Sequence, residues 1–262
     1  MEPLSGRMLL AADGVRISAR HDPPVQHAPA PDLGLVVAHG FTGAWRRQSV
    51  RALAGVLADH AGVVSFDFRG HGASGGRSTL GDLEVLDLDA AVRWARLLGY
   101  RRVVTVGWSM GAGVAIRQAA LCRGVDAVVA VSGPSRWHFR GTAPMRLLHY
   151  GVETRFGRAV LALGFRTRIA ARGWEPWPEP PDALVGRIAP APLLVVHGDR
   201  DRYIPAEHAR WLVAAARGPA QLWLEPGFGH AEAAATPDLL HRIATWADAN
   251  TVENAPSARM PG

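Results

Sequence analysis

The sequence predicts an α/β architecture: a mostly parallel, doubly wound sheet with helices on both faces and a small helical cap inserted late in the chain. Two observations carry this. Short apolar runs rich in Val, Leu and Ala alternate with stretches of helical spacing, and the alternation stops over residues 134–185 before it resumes. The chain is also long enough, at 262 residues with 48% hydrophobic content, for one sizeable core plus an insertion.

The elements follow in order. Residues 7–12 and 15–20 flank Asp13-Gly14, a tight-turn dipeptide, and read as an opening β-hairpin. Pro23, Pro24, Pro29 and Pro31 make residues 21–32 a loop. Strands are then predicted over 33–38, 62–66, 102–106 and 125–131, with helices over 46–60, 82–98 and 110–121 between them. Unbroken β-branched runs of this kind are buried on both faces, the mark of a parallel sheet. After the break the pattern returns with strands at 192–196 and 221–224 and helices at 206–216 and 237–247. The core is therefore expected over residues 1–133 and 186–249, with helices near 143–150 and 154–171 inside the cap. A polar, Pro-containing tail is expected to fray from residue 250 to 262.

Composition excludes several functions. All 29 basic residues are Arg, against 23 acids, so the net charge is +6 without one lysine. A Walker A phosphate loop, a pyridoxal Schiff base and a Ser-Lys dyad each need that missing amine. The Arg bias reads as base composition of the genome, and nucleic-acid binding is not indicated. One cysteine, Cys122, rules out an internal disulfide framework, and no Cys/His group has zinc-ligand spacing. A reducing cytoplasm is the expected compartment. Gly6, Arg7, Asp13 and Arg16 interrupt the apolar stretches of the first twenty residues, so neither a signal peptide nor a membrane span is expected there.

Chemistry concentrates at strand ends. Gly107-Trp108-Ser109-Met110-Gly111 lies between the strand at 102–106 and the helix at 110–121. A serine at a sharp strand-to-helix turn needs small residues two positions to either side, and the helix N-terminus beside it favours developing negative charge. Ser109 is the predicted nucleophile. His230 is the predicted base: among 11 histidines it alone follows the last strand in a Gly-flanked loop. For the orienting acid, Asp201 is preferred to Asp199 because it lies further into its loop, Asp199 being assigned to the turn. The amides of Phe41, after His39-Gly40, and of Met110 are the predicted oxyanion donors.

These residues, with Asp67 to Gly75, His197-Gly198 and Pro205, give a sequence that resembles the α/β-hydrolase superfamily over nearly its whole length. The resemblance implies the same triad of Ser109, Asp201 and His230, and Asp67, Arg69 and His71 are read as structural. Ser rather than Asp at 109 argues against the epoxide hydrolase and haloalkane dehalogenase branches. The motif set is most like small capped esterases and monoacylglycerol-lipase-like members. The expected reaction is hydrolysis of a small carboxylic ester through an acyl-enzyme, with no metal or organic cofactor. Thioesterase, amidase, C–C hydrolase and cofactor-free haloperoxidase activities use the same triad, and some superfamily members only bind. In the cap, Trp137, Trp174, Trp177, Phe139, Phe156 and Phe165 suggest an apolar acyl group, and eight arginines against four acids permit contact with anions or a lipid surface without stable membrane insertion.

Overall fold

The computed structural model describes residues 6–251. An eight-stranded sheet runs through it, formed by β1 (Arg7–Leu10), β2 (Arg16–Asp22), β3 (Leu33–Ala38), β4 (Gly62–Phe66), β5 (Arg102–Trp108), β6 (Ala127–Val131), β7 (Leu193–Gly198) and β8 (Ala220–Glu225). The spatial order is β1-β2-β4-β3-β5-β6-β7-β8. The hairpin β1/β2 joins antiparallel through β2 and β4, and all pairs from β4 through β3 to β8 are parallel. The predicted α/β class with a mostly parallel sheet is the one observed.

The central strands β3 to β7 are nearly continuous apolar runs because both of their faces are buried. Val36, Ala38, Val64, Val128 and Val195 point to one core, with Leu88, Ile116 and Leu212. Their neighbours Leu35, Val37, Val63, Val129 and Val196 point to a second core, with Leu53, Leu57 and Ile243. Successive side chains alternate across the pleat, so an apolar residue at every position fills both layers. The first core is covered by α2 (Glu84–Leu97), α3 (Met110–Leu121) and α7 (Glu207–Ala215), the second by α1 (Gln48–Ala58) and α8 (Pro237–Ala249).

Between β6 and β7 the chain forms α4 (Ala143–Glu153), α5 (Arg155–Phe165) and the single turn α6 (Pro181–Leu184). Thr142 and Thr154 start α4 and α5 as side-chain caps, accepting from the Met145 and Gly157 amides. Only His149 and Val152 of α4 and Gly157 of α5 are buried. The second helix ends at Phe165 rather than continuing to 171. Arg166 turns left-handed at φ 54°, and the following residues pair in extended form with the loop after β4. There Arg168 N donates to Gly70 O at 2.7 Å and receives Ser78 N on its own carbonyl at 2.8 Å. Backbone pairing at long range has displaced local helical spacing. At the other end, Asn250 and Thr251 do not fray: Thr251 is buried and its hydroxyl donates to Ala247 O at 2.8 Å. The remainder of the expected tail, 252–262, lies outside the described residues. Among the described residues no helix is long and apolar enough to cross a membrane.

Candidate active site

Ser109 stands at the turn between β5 and α3 with φ 51° and ψ −114°, a conformation an L-residue adopts only when its surroundings enforce it. Enforcement comes from close packing on both sides. A Cβ on Gly107 would lie 2.3 Å from Gly111 O, and one on Gly111 would lie 2.2 Å from Ala38 O. Both glycines are thus required by contact of backbone with backbone, and Ser109 N is fixed by donation to Val131 O at 2.9 Å.

The three residues proposed from the sequence come together. Ser109 Oγ lies 2.9 Å from His230 Nε2, and His230 Nδ1 lies 2.7 Å from Asp201 Oδ2. With Nδ1 facing a carboxylate, the proton belongs on Nδ1 and Nε2 is left to accept from the serine hydroxyl. Asp201 is buried, with 1% of its side chain exposed, and its second oxygen accepts the Tyr203 and Ile204 amides at 2.8 and 3.0 Å. Its orientation is therefore set before the imidazole arrives. Asp199 points elsewhere: its Oδ1 accepts Gly227 N at 2.7 Å and braces the loop that carries His230.

His197, buried beside Asp201 at 3.5 Å, is not a competing base. Burial pushes its imidazole below the usual histidine range, and Nε2 donates to Ile204 O at 2.8 Å. It acts as a neutral strut under the acid loop.

Just beyond β3, His39 shapes the turn carrying Phe41. Its Nε2 accepts Phe68 N at 3.1 Å, which leaves Nδ1–H to donate to Gly40 O at 2.7 Å. Burial, together with the neighbouring His71, pushes this imidazole down to about 3, so it stays neutral and keeps that pairing at any ordinary pH. Among the described residues neither Phe41 N nor Met110 N donates to an internal acceptor. Asp67 and Arg69 are committed to structure: Asp67 accepts the Trp45 and Ala73 amides at 2.7 and 2.9 Å, and Arg69 pairs with Asp87 and Asp13, both at 2.7 Å.

Three neighbours escaped the sequence reading. Tyr203 stacks on His230 with ring centroids 4.6 Å apart at 27°, and its carbonyl accepts Thr142 Oγ1 at 2.8 Å, which ties the start of α4 to the acid loop. Glu232 accepts Gly40 N, and burial pushes its carboxyl up. Ser132 Oγ accepts Ala231 N at 3.1 Å and anchors the residue after His230. The only trace of the first two in the sequence is a position two residues beyond Asp201 and His230 respectively.

The chain resembles known proteins in sequence and in fold. Residues 35–242 match the model of the "Alpha/beta hydrolase family". An uncharacterised protein of Mycobacterium tuberculosis is 29% identical over 237 residues, covering 87% of this chain and 71% of that protein. A monoacylglycerol lipase of Mycolicibacterium smegmatis is 27% identical over 249 residues, covering 75% and 80%. Among solved structures, an esterase of Pyrococcus furiosus superposes with a TM-score of 0.73 at 23% identity, covering 94% of this chain and 91% of its own.

Proposed function

As the chain belongs to the α/β-hydrolase family, we propose that it hydrolyses carboxylic esters through an acyl-enzyme formed on Ser109, with His230 as base and Asp201 as its orienting acid. The single observation that carries this reading is the imidazole of His230 held between a serine hydroxyl at 2.9 Å and a buried carboxylate at 2.7 Å. A nucleophile, a base and an orienter in hydrogen-bond reach have the geometry that acyl transfer needs.

The steps follow from the positions of the protons. As Ser109 Oγ attacks the ester carbonyl carbon, its proton passes to His230 Nε2, and Asp201 steadies the imidazolium. The carbonyl oxygen becomes an oxyanion, stabilised by the free amides of Phe41 and Met110. Collapse breaks the bond to the leaving alkoxide, which takes the proton from Nε2. Water then enters, gives its proton to His230 and attacks the acyl carbon; Ser109 leaves with that proton and a carboxylic acid is released.

Residues 134–185 are assigned as a cap over this centre, supported by the hydrogen bond between Thr142 and Tyr203 beside the imidazole. An apolar acyl group suits the aromatic content of that segment, as do the esterase and monoacylglycerol lipase among the similar proteins. A cytoplasmic location agrees with a lone free cysteine, Cys122. The test is a panel of nitrophenyl esters of graded chain length, thioesters and anilides, run beside fluorophosphonate labelling of wild type and Ser109→Ala. Ester turnover and labelling that both vanish in the variant are the expected result. A wild type that takes no label overturns the nucleophile assignment; labelling without turnover of any ester moves the protein to another reaction on the same triad.

A further inference from the structure

We propose that the segment between β6 and β7 holds a site for a divalent transition cation of the Zn(II) class, formed by His138, His149 and Glu153. The cluster is separate from Ser109 and its partners, and the inference does not depend on the activity proposed above. One ring nitrogen from each histidine and one carboxylate oxygen of Glu153 all lie within 4.8 Å of one another. His149 and Glu153 are one helical turn apart on α4, so their side chains share a face. His138 comes from the connection before that helix and meets His149 edge-on, with ring centroids 4.9 Å apart.

A second observation points to a ligand. His149 is 6% exposed, and its Nε2 is buried with no hydrogen-bond partner among the described residues. The other ring nitrogen, Nδ1, lies 3.3 Å from Glu153 Oε1, and a cation taken up between them would replace the proton they share. Two imidazoles and one carboxylate suit Zn(II), Ni(II) or Cu(II), and lack the oxygen-rich shell that Ca(II) or Mg(II) requires.

Tetrahedral coordination at ~2.0–2.1 Å places donors about 3.4 Å apart, so they must close in from their present spacing. His138 and Glu153 are exposed and can swing inward, while His149 is the fixed point. Opposing the cation is Arg140, whose guanidinium pairs with the Glu153 carboxylate. Metal bound through one oxygen would leave the other to Arg140, at the cost of repulsion between two cations. Removing that guanidinium should therefore tighten the site. A bound cation would link residue 138 to α4, whose cap Thr142 holds Tyr203 against His230.

The experiment is titration of chelator-treated full-length protein with ZnCl2 by calorimetry, with unfolding temperature as a second readout. One equivalent of Zn(II) is expected to bind and to raise the unfolding temperature. Loss of an outer-shell partner typically weakens metal binding ~10–100-fold, and loss of a ligand costs at least as much, so His138→Ala and His149→Gln should each fall by that factor or more. Arg140→Gln should bind more tightly than wild type. His60 and His241, an exposed pair with Nε2 and Nδ1 2.7 Å apart, serve as the control for adventitious binding, and His241→Ala should leave the affinity unchanged. His138 is exposed, so its variant reads the site even if His149→Gln unfolds. Absence of Zn(II) binding, equal affinity in wild type and His138→Ala, or loss of binding in His241→Ala overturns the proposal. Equal affinity in Glu153→Gln and wild type overturns it as well.

Discussion

The sheet platform and the segment between β6 and β7 are built on opposite terms. At the elbow, Gly107 and Gly111 meet backbone atoms at distances no Cβ could share, and Asp201 is locked by two amides before it touches His230. In α4 and α5, by contrast, Leu147 and Phe156 are each 72% exposed and Leu163 is 86% exposed. The first region fixes three side chains to within hydrogen-bond tolerance; the second buries few side chains and leaves apolar surface in water. Acyl transfer demands preorganisation, since its gain comes from donors and a base already in place. Substrate choice needs only a wall of adequate shape, and such a wall can be loosely packed and exchanged without loss of the chemistry.

The sharpest way to break this contrast is within one loop. Asp201→Asn keeps the shape of the side chain but spoils the imidazole tautomer, and kcat for a nitrophenyl ester should fall about 10⁴-fold. Asp199→Ala, two residues earlier, removes only an acceptor for Gly227 N, so stability should drop by ~1 kcal/mol while kcat changes less than tenfold. Comparable losses in both variants would mean that the loop acts as a unit and that the assignment of the acid is wrong.

Next in size is the pH dependence of stability. His39 has a folded pKa of about 3 against 6.5 when unfolded, so between those values the unfolded chain carries a proton that the native protein excludes. Stability is fully present above pH 6.5 and falls as pH drops through the window, by a few kcal/mol at the acid end. His208, pushed down to about 4 mainly by burial, adds a contribution of the same sign. Chemical denaturation across pH 3.5–7.5 should show this slope in wild type and a shallower one in His39→Gln. An unchanged slope would show that the buried imidazole is not what couples the platform to acid.

How much of this was legible follows from the same contrast. The strands β3 to β7 read directly from the chain because burial on both faces makes them nearly continuous apolar runs, with few polar positions such as Ser65 and Thr105 among them. Helix α3 was placed to the residue because the Gly-flanked serine turn marks its start. Ser109, Asp201 and His230 could be singled out because each follows a strand at the same edge of the sheet. Tyr203 and Glu232 could not, since stacking and an amide contact across 192 positions leave no local pattern. The same holds for residues 166–171, where pairing with the loop after β4 overrode helical spacing. Of the three residues at the proposed cation site, only the i,i+4 relation of His149 and Glu153 is visible along the chain, and the third donor comes from the fold.

The smallest expected effect tests the loose side of the comparison. Leu53 and Leu163 are the same residue on amphipathic helices of eleven residues, but the first is 2% exposed against the sheet and the second 86% exposed on α5. Leu53→Ala removes packed methyl groups and leaves a cavity, so unfolding free energy should fall by about 2–5 kcal/mol. Leu163→Ala removes atoms that already face water, and the change should stay within about 0.5 kcal/mol. Both are read by chemical denaturation with m-values compared, so that a shift in the midpoint is not confused with a change in the unfolded chain. A cost at Leu163 approaching that at Leu53 would place a packed partner on α5 in solution and make this face an interface instead of a free wall.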